Sequence, residues 1–127
     1  MRPTTIKELG CLHDSDLLSV LYDTSGDTGW SIRLTILCPD DMGYAPWDGK
    51  LLVLSAINVE RSNYAVCGVA GSETFDHAYP GVSEALRKGA MKGSKVDLHF
   101  NFEFTITLIS GSRLEVICQD LQIEASP

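Results

Sequence analysis

The residues best suited to chemistry in this chain are its histidines, each close to a carboxylate: His13-Asp14, Asp76-His77 and Asp97-x-His99. Imidazole nitrogen and carboxylate oxygen are the donor set of a transition-metal site, and His99 falls on the polar side of an alternating stretch. No short ligand pair anchors such a three-histidine centre, so the expectation is no metal and no cofactor. The plainer role for Asp14 or Ser15 is to cap or end local backbone. Cys11, Cys38, Cys67 and Cys118 are far apart with no Cys-x-x-Cys spacing, and three of them lie in apolar stretches. Buried reduced thiols are expected rather than disulfides or metal ligands.

His13-Asp14 invites comparison with metal phosphohydrolases, but those draw further His and Asp ligands from neighbouring helices, of which this chain has almost none. The phosphate-binding loop, the dinucleotide fingerprint, the Gly-x-Ser-x-Gly elbow and the His-Glu-x-x-His helix are absent from the sequence. Two long polar stretches, residues 39–49 and 71–81, are better candidates for function, because loops of that length are often functional. Each mixes aromatic with acidic residues: Asp40, Asp41, Tyr44, Trp47 and Asp48 in one, Glu73, Phe75, Asp76 and Tyr79 in the other. Aromatics amid charge suit protein contact. The competing role is that Trp47 and Phe75 pin their own loops to the body.

Charge narrows the partner. Ten basic residues against seventeen acidic give a net charge of −7, which argues against nucleic acid. Arg87, Lys88, Lys92 and Lys95 cluster locally, as a solvated helix face would. Apolar content of 44% and charged content of 21% are ordinary for a globular protein, and 127 residues suit one domain. No apolar run is long enough for a membrane-spanning helix, and Lys7 and Glu8 interrupt any signal-peptide core, so a cytoplasmic location is expected.

Strands must position these groups. Residues 95–124 read as one long hairpin, with Val96, Leu98, Phe100, Phe102, Phe104, Ile106 and Leu108 on one face and Phe102 well inside it. A three-residue loop, Ser110-Gly111-Ser112, would set Leu108 opposite Leu114, Ile106 opposite Val116 and Phe104 opposite Cys118. Apolar parity then flips, so a bulge at Gln119-Asp120 is expected, with Leu121 near Phe102 and Ile123 near Phe100. Upstream, alternation marks strands near Leu18–Tyr22 and over 30–38, 50–60 and 64–70. A single helical turn follows Thr5, and residues 82–92 form the one substantial helix. The expected fold is mostly β (α+β): a curled antiparallel sheet, barrel or sandwich, of about six strands with one short helix.

Leu12-His13-Asp14-Ser15 followed by an alternating strand resembles the opening of small bacterial domains of unknown function. Ser110-Gly111-Ser112-x-Leu114-x-Val116-x-Cys118-x-x-Leu121-x-Ile123 is similar to their closing hairpin. Some such domains group with immunity proteins of toxin systems, which implies a protein partner, a basic toxin domain for instance, and carries over no catalytic residue. The expected function is a non-catalytic, acidic protein-binding domain. The alternative is an enzyme or small-ligand binder using a pocket in the curled sheet, with Asp97, His99 or Glu103 pointing into it.

Overall fold

A computed structural model describes residues 2–24, 30–41, 46–66, 73–91 and 102–125. Tyr44, Cys67, Lys92, Asp97, His99 and Phe100 lie outside them. The elements are β1 (Arg2–Pro3), α1 (Ile6–Leu9), a 3-10 turn (Gly10–Leu12), β2 (Asp16–Asp23), β3 (Ser31–Leu37), β4 (Leu51–Ala65), β5 (Phe75–Pro80), α2 (Glu84–Met91), β6 (Phe102–Leu108) and β7 (Arg113–Ala125). The strands form one antiparallel sheet in the order β2-β3-β4-β7-β6-β5, with β1 added to the far end of β7. The fold is therefore mostly β, as the alternation requires. It is a single sheet, neither a sandwich nor a closed barrel.

The sheet curls so that its two edges share one core. Leu17 of β2 and Phe75 of β5, at opposite ends of the strand order, belong to the same buried cluster. That cluster takes alternate residues from every long strand: Ile32, Leu34 and Ile36; Leu52 and Leu54; Phe104 and Ile106; Leu114 and Val116. Leu9 and Leu12, from the helical turn capped by Thr5, join the same cluster. Burial of this kind is worth about 25 cal/mol per Å² of apolar surface, so one continuous apolar face is the main stabilising feature.

Two local devices bend the sheet. At Asn58 the backbone of β4 takes a left-handed φ of 54°, and its side-chain amide donates to Gln119 Oε1 at 3.0 Å. Across this point both strands change parity together: Ala56 opposite Leu121 and Val59 opposite Cys118 all face the core. The expected parity flip at Gln119-Asp120 is thus present, but the expected bulge is not: β4 flips with β7 in register and no residue is added there. The register shift of this pair, between Val59 and Arg61, adds one residue on β4 alone. The polar run Arg61-Ser62-Asn63 divides the sequence pattern into strands over 50–60 and 64–70, whereas β4 runs unbroken from Leu51 to Ala65.

The β6–β7 hairpin has the expected faces with a register two residues tighter. Phe104 sits opposite Val116, Ile106 opposite Leu114 and Phe102 opposite Cys118. The three-residue loop is Ile109-Ser110-Gly111: Gly111 N–H donates to Leu108 O, and Leu108 N–H to Ser112 O, both at 2.9 Å. Gly111 takes a φ of 95°, as a type I turn followed by a left-handed residue demands. Phe102, at the start of β6, is only half-buried. Beyond Cys118 the neighbour of β7 on that side is β1, with Arg2 opposite Ile123 and Pro3 opposite Gln122.

Part of the second long stretch is not a loop. Residues Phe75–Pro80 pair with β6 as the edge strand β5. On the outer face of the sheet, Leu86 of α2 and the preceding Val82 pack over Ile117. Ser83 fixes its start twice: its hydroxyl accepts from Leu86 N–H at 3.4 Å and donates to the buried carboxylate of Glu115 at 2.9 Å. Such a cap satisfies a helix-end N–H that would otherwise be unpaired.

Candidate functional site

The segment His13–Asp16 is held rigidly between two parts of the sheet. Ser15 N–H donates to Leu12 O, Asp14 N–H to Phe75 O, Phe75 N–H to Ser15 O and Leu17 N–H to Glu73 O, at 2.7–3.1 Å. Asp14 takes a left-handed φ of 67°, a conformation Asp tolerates better than most residues. The result presents the Asp14 and Asp16 side chains beside the end of β3.

Across from them, Cys38 N–H donates to Lys50 O and Gly49 N–H to Pro39 O, which draws the 39–49 loop shut on itself. Asp14, Asp16, Leu37, Cys38, Pro39, Asp40 and Gly49 together line an open groove of about 240 Å³. Three carboxylates face this groove, and among the described residues no Lys, Arg or His lines it. Leu37, 42% exposed, and Pro39 give it an apolar part. Cys38 is buried beneath; burial pushes its thiol pKa up, Ser15 draws it partly back, and the charge of Asp48 raises it further.

The residues expected to make contact fall into different places. Asp40 lines the groove, Asp41 is exposed beside it, and Asp48 is half-buried and close enough to act on Cys38. Trp47 and Phe75, expected as contact aromatics, are 3% and 1% exposed and belong to the core. Their apolar area is better removed from water by the sheet than offered to it, so they pin the loops. Glu73 accepts from the Ser110 hydroxyl at 2.9 Å and the Ser112 hydroxyl at 3.1 Å, which makes it a tie to the β6–β7 turn. Tyr44 is outside the described residues. Asp14, expected from the sequence to cap or end local backbone, and Asp16 are the site residues that reading missed. Only their density of acids before a strand hinted at them.

Asp76 reaches the same surface by another route. It lies 3.7 Å from His77 Nε2, and the His77 ring is 6.1 Å from that of His13, whose Nδ1 is 3.1 Å from Asp14. The two acidic stretches thus meet through His13-Asp14 rather than through their aromatics. Among the described residues, no group of three or more His, Cys, Asp or Glu is arranged to hold a metal ion. Glu103, a candidate for an inward-facing pocket group, lies on the outer face and pairs with Arg87 at 2.8 Å.

A second, broader depression of about 640 Å³ lies over β5, β6 and the start of β7, bounded by Asp76, His77, Tyr79, Thr107, Ile109 and Arg113. Arg113 leans on the buried Glu115 at 3.4 Å. No helix among the described residues is long and apolar enough to cross a membrane. No family model, no curated protein and no solved structure matches this chain.

Proposed function

We propose that this is a non-catalytic protein-binding domain whose acidic groove, with Asp14, Asp16 and Asp40 on its walls, receives a basic partner. The observation that carries this reading is the meeting of three carboxylates from two segments distant in sequence, around a groove lined by no basic side chain among the described residues. Opposite charge speeds encounter, and the apolar part formed by Leu37 and Pro39 gives a partner something to desolvate. Asp41, Asp48 and Asp76 extend the negative field around it. The sequence resemblance to immunity-type domains makes a basic toxin domain the first partner to try.

The test is association kinetics with a partner captured from the source cell. Asp14→Asn and Asp40→Asn together should slow association and flatten its dependence on ionic strength, with the melting temperature little changed. A partner whose association ignores both the substitutions and the salt rules the groove out as its site.

A further inference from the structure

We propose that His13 and His77 form a two-imidazole site for a borderline divalent metal ion such as zinc, which clamps the segment leading into β2 to β5. The two residues are distant in sequence, yet their ring centres lie 6.1 Å apart, with the planes tilted by 38°. Two imidazoles on one ion, with metal–nitrogen bonds of about 2.0–2.1 Å, hold their ring centres about 5–6 Å apart. The observed spacing stands at the upper end of that range. Apolar packing does not account for it, because the His13 and His77 side chains are 54% and 70% exposed. The backbone does. Asp14 N–H donates to Phe75 O at 3.1 Å and Phe75 N–H to Ser15 O at 2.8 Å, which fixes both histidines to one seam. Ligands carried on rigid elements are already near the geometry an ion requires.

The carboxylates decide which nitrogens serve. Asp14 Oδ2 is 3.1 Å from His13 Nδ1, and Asp76 Oδ1 is 3.7 Å from His77 Nε2. A histidine that binds metal through one nitrogen commonly donates its other N–H to a carboxylate, which sets the tautomer and raises ligand basicity. That arrangement assigns Nε2 of His13 and Nδ1 of His77 to the ion. Among the described residues no group of three ligands is assembled, so the site is an open one with water in its other positions. Imidazole nitrogen selects zinc, copper or nickel over magnesium and calcium, which take oxygen. Because the pair is assembled only by the fold, an ion bound there stabilises the folded chain by mass action.

The experiment titrates zinc into the full chain, without a purification tag, by calorimetry, with magnesium as the control ion. One zinc per chain should bind, excess magnesium should not displace it, and the melting temperature should rise with zinc concentration. His13→Gln and His77→Gln should each weaken zinc by at least about tenfold, with circular dichroism checking that the fold is kept. Copper(II) added to the unaltered chain gives a readout that no variant's folding can confuse. It should broaden the ring proton signals of His13 and His77 together, at the same sub-stoichiometric dose. Weakening in only one of the two variants, or broadening of one ring well before the other, means an adventitious ion only. Binding that survives both substitutions puts the ion elsewhere, and binding that magnesium displaces puts it on carboxylates. Each of these results, like no binding at all, overturns the proposal.

Discussion

Asp16 and Thr74 join the two edges of the sheet twice over, through a backbone bridge and through a 3.0 Å hydrogen bond from the Thr74 hydroxyl to the Asp16 carboxylate. The first prediction concerns this tie. A double-mutant cycle of Asp16→Ala and Thr74→Val, followed by urea unfolding, should return a coupling of about 0.5–1.5 kcal/mol. Additive losses would mean that the side-chain bond does not hold the seam.

The core should be steeply sensitive on β6 and indifferent at its turn. Phe104 is 1% exposed and Ile109 63%. Phe104→Ala is expected to cost about 3–5 kcal/mol, while Ile109→Ala changes stability by less than about 0.5 kcal/mol. Equal denaturation midpoints for the two variants would contradict the assignment of faces.

Trp47 provides a sharper contrast, because exposure and burial predict opposite phenotypes. As a core residue it should cost about 3–5 kcal/mol on truncation to Ala, with the loss visible in thermal melts without any partner. If Trp47→Ala melts like the parent and binds a partner less well, the side chain must leave the core to make contact.

Gly49 couples stability to the groove. Its φ is +67°, and an added Cβ would lie 2.6 Å from Asp40 Oδ1. Gly49→Ala should therefore cost about 1–2 kcal/mol for the left-handed backbone and push the Asp40 carboxylate aside. The readout is a lower unfolding midpoint together with a smaller salt dependence of partner association.

The cysteines give a pH signature. Burial, the largest cause, pushes Cys118 up to about 12 from an ordinary 9.0, although the Asp120 backbone draws it partly back. Between those values the unfolded chain loses its proton first, so stability is full below about pH 9 and falls as pH rises toward 12. Cys38 and Tyr64 are shifted in the same direction, chiefly by burial. In native protein at pH 8, iodoacetamide should modify the exposed Cys11 and spare Cys38 and Cys118, as read by peptide mass mapping. Rapid modification of Cys118 would show that β7 opens.

Much of the fold is legible in the sequence where alternation is clean. Ile32, Leu34 and Ile36, or Phe104 and Ile106, announce both strand and face. Register is harder, since moving the turn from Ser110–Ser112 to Ile109–Gly111 keeps every face and shifts every partner by two. β5 was hidden because Asp76, His77 and Pro80 are turn formers by composition, and pairing with β6 outweighs that preference. Arg61, Ser62 and Asn63, polar residues between two apolar stretches, disguised the continuity of β4 in the same way. The site was legible only in its charge. Which acids meet depends on the seam between Ser15 and Phe75, a contact between distant segments that no local pattern encodes.

The pairing of β7 with β4, β6 and β1 has a consequence for how the protein is made. β7 is the last of these elements to leave the ribosome, and without it β4 and β6 lack their shared neighbour and β1 has none. Before β7 emerges the chain can form the β2–β3–β4 meander and the β5–β6 pair but cannot join them, leaving the apolar face of a long strand uncovered. Completion thus waits for β7 and is dominated by contacts distant in sequence, a regime in which folding takes milliseconds to seconds. Through that interval the uncovered apolar face is open to association with other chains, which the net charge of −7 opposes.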